Sequence, residues 1–238
     1  IFSFKELMIS FDIEKDLHKK NIIMIGVDEA GRGSWAGPLV ATACWFNFNQ
    51  YKSLHLEIND SKKLKSFKRR EIILSLNNFV KYSSSIASVK EIDKYGLSYA
   101  NTIAMKRSIF SLINELKNNQ TYKNKDFCIY VDGKFKQDFE NLDNFLQTNK
   151  LHLNCNIVGY LVKGDSLSKT IGLASIIAKE TRDTIMRQLS KRYPSYLFDR
   201  HFGYGTNDHI KAILKNGVLD LHRKSFKPIA TIYSKNNL

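Results

Sequence analysis

The chain predicts an α/β fold, and three observations lead there. Short apolar runs rich in Ile and Val recur at Asn21–Val27, Phe127–Val131 and Asn156–Val162, each the length of a buried strand. Between them lie longer segments with helical spacing, such as Met105, Ile109, Leu112 and Leu116. Strands that alternate with long helices indicate one layered α/β domain rather than separate all-α and all-β units.

The elements follow in order. Asn21–Val27 (NIIMIGV) reads as a strand that delivers the pair Asp28-Glu29 at its C-terminal end. The glycine-rich turn Gly31–Pro38 leads into a second strand, Leu39–Phe48. Ser66 is placed to cap a helix over Phe67–Asn78, with Ile72, Ile73 and Leu76 on one face. Val80–Val89 reads as a strand, and Ser88 with Glu91 has the spacing of a capping box. A helix is expected over much of Ser98–Lys117, then a polar turn at Asn118–Lys125. Phe127–Val131 ends in Asp132, and Asn156–Val162 runs into Lys163-Gly164-Asp165. A long helix is expected from about Leu167 to Lys191, packing through Ala174, Ile177, Ala178 and Ile185. Thr206 caps a last helix through Leu214, closed by Gly217. No internal repeat is present.

With 238 residues, 43% of them hydrophobic, the chain can build one substantial core with a small appended part. Lys and Arg number 37 against 23 Asp and Glu, a formal charge of +14. A field of that sign suits a polyanion, either nucleic acid or an acidic membrane surface. Cys44, Cys128 and Cys155 are far apart, odd in number and set in apolar stretches. They read as buried free thiols in a reducing compartment, and a cytoplasmic location is the expectation. No apolar run approaches the roughly 18 residues of a membrane span. Ile1–Lys20 carries charges within its apolar stretches, so it reads as an amphipathic extension rather than a signal peptide.

Three strand ends carry acids: Asp28-Glu29, Asp132 and Asp165. If those strands are neighbours, four carboxylates converge and repel one another unless cations join them. Mg²⁺ and Mn²⁺ take oxygen ligands and keep several waters. Two such ions can activate a water and stabilise the leaving oxygen of a phosphodiester. Each acid also has a plainer reading: Asp28-Glu29 as a turn after a strand, Asp132-Gly133 as a tight turn, Asp165 as a helix cap. Gly31-Arg32-Gly33 adds a backbone that can approach a ligand closely, and a cation for a phosphate. His201 and His209 fit no usual zinc spacing and have no Cys partners nearby.

These residues resemble the ribonuclease HII family. The resemblance begins at Gly26-Val27-Asp28-Glu29-Ala30-Gly31-Arg32-Gly33 with Ala36-Gly37-Pro38. It continues through Asp60-Ser61-Lys62-Lys63-Leu64, Val131-Asp132-Gly133 and Val162-Lys163-Gly164-Asp165. Ala174-Ser175-Ile176-Ile177-Ala178-Lys179 follows with Thr181-Arg182-Asp183, then Gly203-Tyr204-Gly205-Thr206 and His222-Arg223-Lys224-Ser225-Phe226. The motifs stand in family order and cover most of Asn21–Pro228.

The resemblance implies a ribonuclease H-like mixed sheet flanked by helices, with a small helical C-terminal part. It divides the chain into an extension (1–20), a catalytic domain (21–192) and a C-terminal substrate-binding part (193–238). It implies hydrolysis of RNA in RNA–DNA hybrids and cutting 5′ of ribonucleotides embedded in duplex DNA, leaving 3′-hydroxyl and 5′-phosphate ends. Asp28, Glu29, Asp132 and Asp165 become the catalytic and metal residues, with one or two Mn²⁺ or Mg²⁺ ions. Gly31, Arg32 and Gly33 become readers of the ribose 2′-hydroxyl, the one group that separates RNA from DNA. Tyr204 becomes a flat surface for the neighbouring sugar. Lys62, Lys63, Lys179, Arg182, Arg223 and Lys224 become candidate phosphate contacts. A monomer without membrane attachment is expected, and a sliding clamp is compatible as a partner. The chain departs from the family pattern at Ser34-Trp35, at Leu197 where a Gly is usual, and at Phe202 where a Lys is usual. The stretch Lys134–Gly159 is longer than the family spacing and reads as an extra surface element. The rival readings are a nucleic-acid binder without chemistry and a phosphatase for small substrates.

Overall fold

The central strands read as unbroken apolar runs because both faces of their sheet are covered. The structure is a computed structural model that describes residues 12–53, 64–76, 79–133 and 157–235. Its strands are β1 (Ile22–Ala30), β2 (Leu39–Phe46), β3 (Val80–Ala87), β4 (Asp126–Asp132) and β5 (Ile157–Leu161). Their order is β3-β2-β1-β4-β5. β1–β2 and β2–β3 are antiparallel, whereas β1–β4 and β4–β5 are parallel. The sheet is therefore mixed, and β1, β4 and β5 point their C-terminal ends in one direction.

The helices are α1 (Asp12–Lys19), α2 (Ser66–Ser75), α3 (Val89–Tyr95), α4 (Leu97–Lys117), α5 (Gly164–Leu167), α6 (Lys169–Arg192), α7 (Phe198–His201), α8 (Asn207–Asn216) and α9 (Lys227–Lys235). Side chains alternate across a strand, and that alternation sorts the core. Ile23, Ile25 and Val27 of β1, with Phe127, Ile129 and Val131 of β4, pack with Met105, Ile109, Leu112 and Leu116 of α4. The intervening residues face α6: Met24 and Cys128 meet Ile171, and Cys44 and Phe46 meet Leu173, Ala174 and Ile177. Gly26 lies on that second face. A Cβ there would sit 2.7 Å from the Ile171 nitrogen, so glycine lets the first turn of α6 press onto β1. Cys44 and Cys128 are buried free thiols.

α1 packs Leu17 against the sheet. It also sends Glu14 to the start of α6, where Oε1 accepts from the Ser168 hydroxyl at 2.6 Å and the Thr170 N–H at 3.0 Å. A carboxylate there meets the positive end of a 24-residue helix. A second buried charge network ties α2 to α6. Arg69 reaches Asp183 at 2.6 Å and Glu180 at 3.2 Å. A third cluster joins Met186, Tyr196, Phe198, Ala212, Ile213 and Ile229 with Trp35.

Several expectations hold in detail. The capping box at Ser88 and Glu91 forms in both directions. Thr206 caps α8 by accepting from the His209 N–H, and Gly217 ends that helix with φ +86°. Ser66 is different: α2 begins at Ser66 itself, Lys65 is the cap residue, and the Ser66 hydroxyl instead reaches Glu180 at 3.0 Å. As the first helical residue Ser66 is one position past the cap, and its hydroxyl donates to the buried carboxylate instead. α2 also stops at Ser75, short of the expected Asn78. At the start of α6 the cap is Ser168, not Asp165. Leu197 and Phe202 both adopt left-handed backbone, with φ of 56° and 50°, at the positions where the family pattern has Gly and Lys. Lys62, Lys63 and Cys155 lie outside the described residues, as do residues 134–156 of the long stretch and residues 77–78.

Candidate active site

The register of β1 on β4 decides which acids meet. Val27 pairs with Val131, so Asp28 and Asp132 follow side by side on the face turned toward α6. β5 pairs Leu161 with Asp132, and the left-handed turn at Lys163 brings the chain round into α5. Asp165 thereby joins them. Carboxylate oxygens of Asp28, Asp132 and Asp165 all lie within 4.8 Å of one another, so the strand ends do converge. Such a group suits a divalent cation with hard oxygen ligands. The Asp132 carboxylate is oriented by the Gly164 N–H at 2.7 Å. Asp28 accepts from the Glu29 N–H at 2.7 Å.

Glu29 follows Asp28 in the strand and so belongs to the opposite face. There it meets Arg32 at 3.4 Å and a hydrogen bond from Asn101 of α4. It stands outside the trio but close enough to feel it. Burial pushes the Asp28 carboxyl well above its ordinary range, and the charges of Glu29 and Asp132 push the same way. A hydrogen bond from Ser175 opposes them. Burial also raises Glu29, against the pull of Arg32. A bound cation would relieve this repulsion, which is the electrostatic sign of a metal site.

The turn after β1 is built from beneath by two arginines. Arg223 donates to the Gly31 and Arg32 carbonyls at 2.8 and 3.0 Å, and twice to Gly37. Arg182 donates to the carbonyls of Pro38, Ala36 and Phe202 and to the Ser34 hydroxyl. Both arginines are 0% exposed. They are therefore struts, and their reading as phosphate contacts is corrected: no N–H of either fork is left facing solvent. Burial, then the Arg182 charge, lowers Arg223 to about 9, which leaves it cationic at neutral pH. Gly31, with φ +92°, has room only for hydrogen, because a Cβ would fall 1.9 Å from the Arg182 Nε. Arg32 remains half-buried at the surface.

Tyr204 stands on the neighbouring turn, 36% exposed. Lys179 lies 5.8 Å from its ring centroid and 4.9 Å from that of Phe202. The Lys179 ammonium is also paired with Asp183 at 2.7 Å, so its charge is partly spent within the protein. The Lys224 ammonium pairs with Asp220. Trp35 packs under Gly205, where a Cβ would lie 2.2 Å from the indole, and against His209. Half-buried, it forms part of the wall behind the turn.

Sequence reasoning missed Ser175 and Asn101, which serve Asp28 and Glu29, and the strut role of Arg182 and Arg223. A signal was available. Ala174, Ala178, Arg182 and Met186 fall four residues apart on one buried stripe of α6, so Arg182 had to point inward. Asn101 extends the buried stripe of Met105, Ser108 and Leu112 on α4 in the same way.

Solved structures define the class. The ribonuclease H2 of Pyrococcus horikoshii OT3 superposes with a TM-score of 0.64 at 22% identity, over 91% of this chain and 99% of that one. A Bst ribonuclease HIII solved with Mn²⁺ gives 0.65 at 19% identity, over 90% and 71%. The fold is ribonuclease H-like. The family profile described as Ribonuclease HII matches residues 25–229. Ribonuclease HII of Fusobacterium nucleatum is 41% identical over 89% of this chain and 87% of its own length. That of Ehrlichia canis is 36% identical over 97% and 99%. The chain belongs to the ribonuclease HII family, and is accordingly a hydrolase of the endoribonuclease kind acting on RNA–DNA hybrids. Among the described residues no helix is long and apolar enough to cross a membrane.

Proposed function

We propose that this endoribonuclease cuts on the 5′ side of a ribonucleotide, in hybrids and at single ribonucleotides embedded in duplex DNA, leaving 3′-hydroxyl and 5′-phosphate ends. The observation that carries the reading is the trio Asp28, Asp132 and Asp165, within 4.8 Å of one another, next to a backbone turn that two buried arginines hold open. Bound Mn²⁺ or Mg²⁺, as one ion or two, supplies Lewis acidity and a water activated for attack on phosphorus. Asp28, Asp132 and Asp165 are the residues that would hold it, and Glu29 completes the carboxylate set from the other face of β1.

The rest of the work falls to positioning. Gly31, Arg32 and Gly33 present backbone groups to the ribose 2′-hydroxyl, and an immobile backbone discriminates better than a flexible side chain. Tyr204 offers its exposed ring to the adjoining sugar, steadied by the Lys179 ammonium. Lys62, Lys63 and Lys179 steer the phosphate backbone, in keeping with the net charge of +14. Residues 193–238 serve as the substrate-binding part, because they carry Tyr204 and the Arg223 strut.

The test is cleavage of duplex DNA holding one ribonucleotide, in Mn²⁺ and in Mg²⁺. The Asp28→Asn variant is expected to lose about a thousandfold or more in rate, the scale of losing a central electrostatic group. Cleavage at the wild-type rate would overturn the site. The same duplex without the ribonucleotide must stay intact, and cutting there would overturn the substrate.

A further inference from the structure

Three buried histidines lie behind Tyr204, and no step of the reaction uses them. His201, His209 and His222 are 6%, 0% and 0% exposed. The rings of His201 and His209 stack with centroids 4.3 Å apart. The His209 Nε2 lies 3.2 Å from the His222 Nε2. Two ring nitrogens at that distance hold one proton between them, since two bare nitrogens or two N–H groups would repel.

The ends of the chain fix where that proton sits. His209 Nδ1 is 3.0 Å from the Tyr204 carbonyl, and a carbonyl only accepts. Nδ1 therefore carries the proton, and the His209 Nε2 is bare. At the far end the Leu219 N–H points at the His222 Nδ1 from 2.8 Å, closer than the Leu219 carbonyl at 3.3 Å. Nδ1 of His222 is therefore bare, and its Nε2 carries the proton. The two ends, read independently, demand the same arrangement in the middle. His201 has its own polarity: Nδ1 accepts the Gly203 N–H at 3.2 Å, and Nε2 donates to the Tyr196 carbonyl at 2.8 Å.

We propose that His222 and His209 form a one-directional relay of neutral imidazoles, running from the Leu219 N–H to the Tyr204 carbonyl, and that with His201 it positions Tyr204 against the substrate. His201 holds the N–H of Gly203 and His209 holds the carbonyl of Tyr204, so the backbone is gripped on both sides of the ring-bearing residue. The same turn is sewn to the reader turn. The Gly203 carbonyl accepts from Trp35 and Ala36 at 2.8 and 3.2 Å, and His222 bridges to Ala36. Each ring of the relay needs one donor and one acceptor in fixed directions on a flat body. Among side chains a neutral imidazole supplies this, whereas a cationic one puts N–H against N–H. The functional half rests on the reading of Tyr204 given above; the proton arrangement does not.

Two measurements separate those halves. Two-bond ¹H–¹⁵N correlation on the wild-type protein at neutral pH reads the tautomers directly. The expected result is Nδ1–H for His209 and Nε2–H for His201 and His222. Nε2–H on His209, or a cationic ring among the three, overturns the relay. Steady-state cleavage of the single-ribonucleotide duplex then tests its purpose. His209→Leu is expected to raise KM about tenfold, roughly one buried hydrogen bond, with kcat and Mn²⁺ affinity near wild type. His209→Asn keeps an amide N–H near the Nδ1 position and recovers most of that loss. An unchanged KM for His209→Leu, or a fall in kcat alone, overturns the positioning role. Tyr204→Ala serves as the reference: if its KM matches wild type, the reading of Tyr204 fails and takes the positioning role with it, while the tautomers stand on the spectra.

Discussion

The carboxylate trio and the histidine cluster are both largely enclosed and both titratable, yet they are built on opposite principles. At the strand ends, acids are set against acids, and burial with mutual repulsion drives Asp28 and Glu29 upward. Behind Tyr204, each histidine finds a partner for both nitrogens, and burial drives His209 and His222 down to about 4. One region stores electrostatic conflict for an ion to relieve, and the other removes charge so that hydrogen bonds alone set the geometry. A frustrated centre held in a satisfied frame is how a protein keeps reactive groups in place at marginal overall stability.

The largest expected effect breaks the symmetry at Asp28. The Asp28→Asn change, whose expected loss of cutting is given above, should also raise the urea midpoint in EDTA, because it deletes a desolvated charge facing like charges. Adding Mn²⁺ should stabilise the wild type and leave the variant nearly unmoved. A variant less stable than wild type in EDTA would mean that the trio is not in conflict.

Acid should tilt the two regions in opposite directions. The histidines are depressed from 6.5 to about 4, so the unfolded chain binds more protons across that window. Their contribution is complete above pH 6.5 and is lost as pH falls toward 4, about 3 kcal/mol at most for the first ring to protonate. Asp28 and Glu29 are raised from 3.8 and 4.5. Their contribution is present below those values and is lost as pH rises. Urea unfolding in EDTA between pH 7 and 4 should therefore show a smaller acid loss for wild type than for Asp28→Asn, which lacks one compensating carboxyl. Equal slopes would show that the carboxylates do not titrate as the geometry requires.

A smaller effect is expected at Arg223, which belongs to the frame. Its planar fork serves carbonyls of Gly31, Arg32 and Gly37 at once. Arg223→Lys keeps the charge but not the fork, and should cost about 2 kcal/mol of stability through unmet carbonyls. KM for the junction duplex should rise as the turn loosens, while Mn²⁺ affinity stays put. A shift in metal affinity instead would tie Arg223 to the trio rather than to the turn.

The frustrated region was the more legible of the two in the sequence. β1 and β4 show as apolar runs because both faces are covered, and an acid at the end of such a run is conspicuous. The caps at Ser88 and Thr206 and the stop at Gly217 were legible because they are local. The strand order and the meeting of Asp28 with Asp132 were not, since both depend on register between strands distant in sequence. The frame was hardest to read. Charged residues are expected at the surface; the buried stripe of α6 turns Arg182 inward, but nothing local to Arg182 or Arg223 says that three backbone carbonyls wait inside for each of them. His201 and His209 offered no metal spacing, and the pairing of His209 with His222 depends on α8 and the 219–222 turn coming together.

Glu14 supplies the finest version of the contrast, because it is a buried acid that faces donors rather than other acids. It is 5% exposed, as enclosed as Asp28, but one of its oxygens accepts from the Ser168 hydroxyl and the Thr170 N–H at the positive end of α6. Its other oxygen, Oε2, has no hydrogen-bond partner among the described residues. Glu14→Gln keeps an acceptor for those donors, removes the charge from the helix start and places an amide N–H₂ where that free oxygen stood. The expected cost is about 1 kcal/mol in EDTA, opposite in sign to Asp28→Asn, with the cleavage rate unchanged. If both substitutions moved the urea midpoint the same way, burial alone would govern these acids. Opposite signs show that their partners do: donors make a buried carboxylate a structural link, and fellow acids make it a place for a cation.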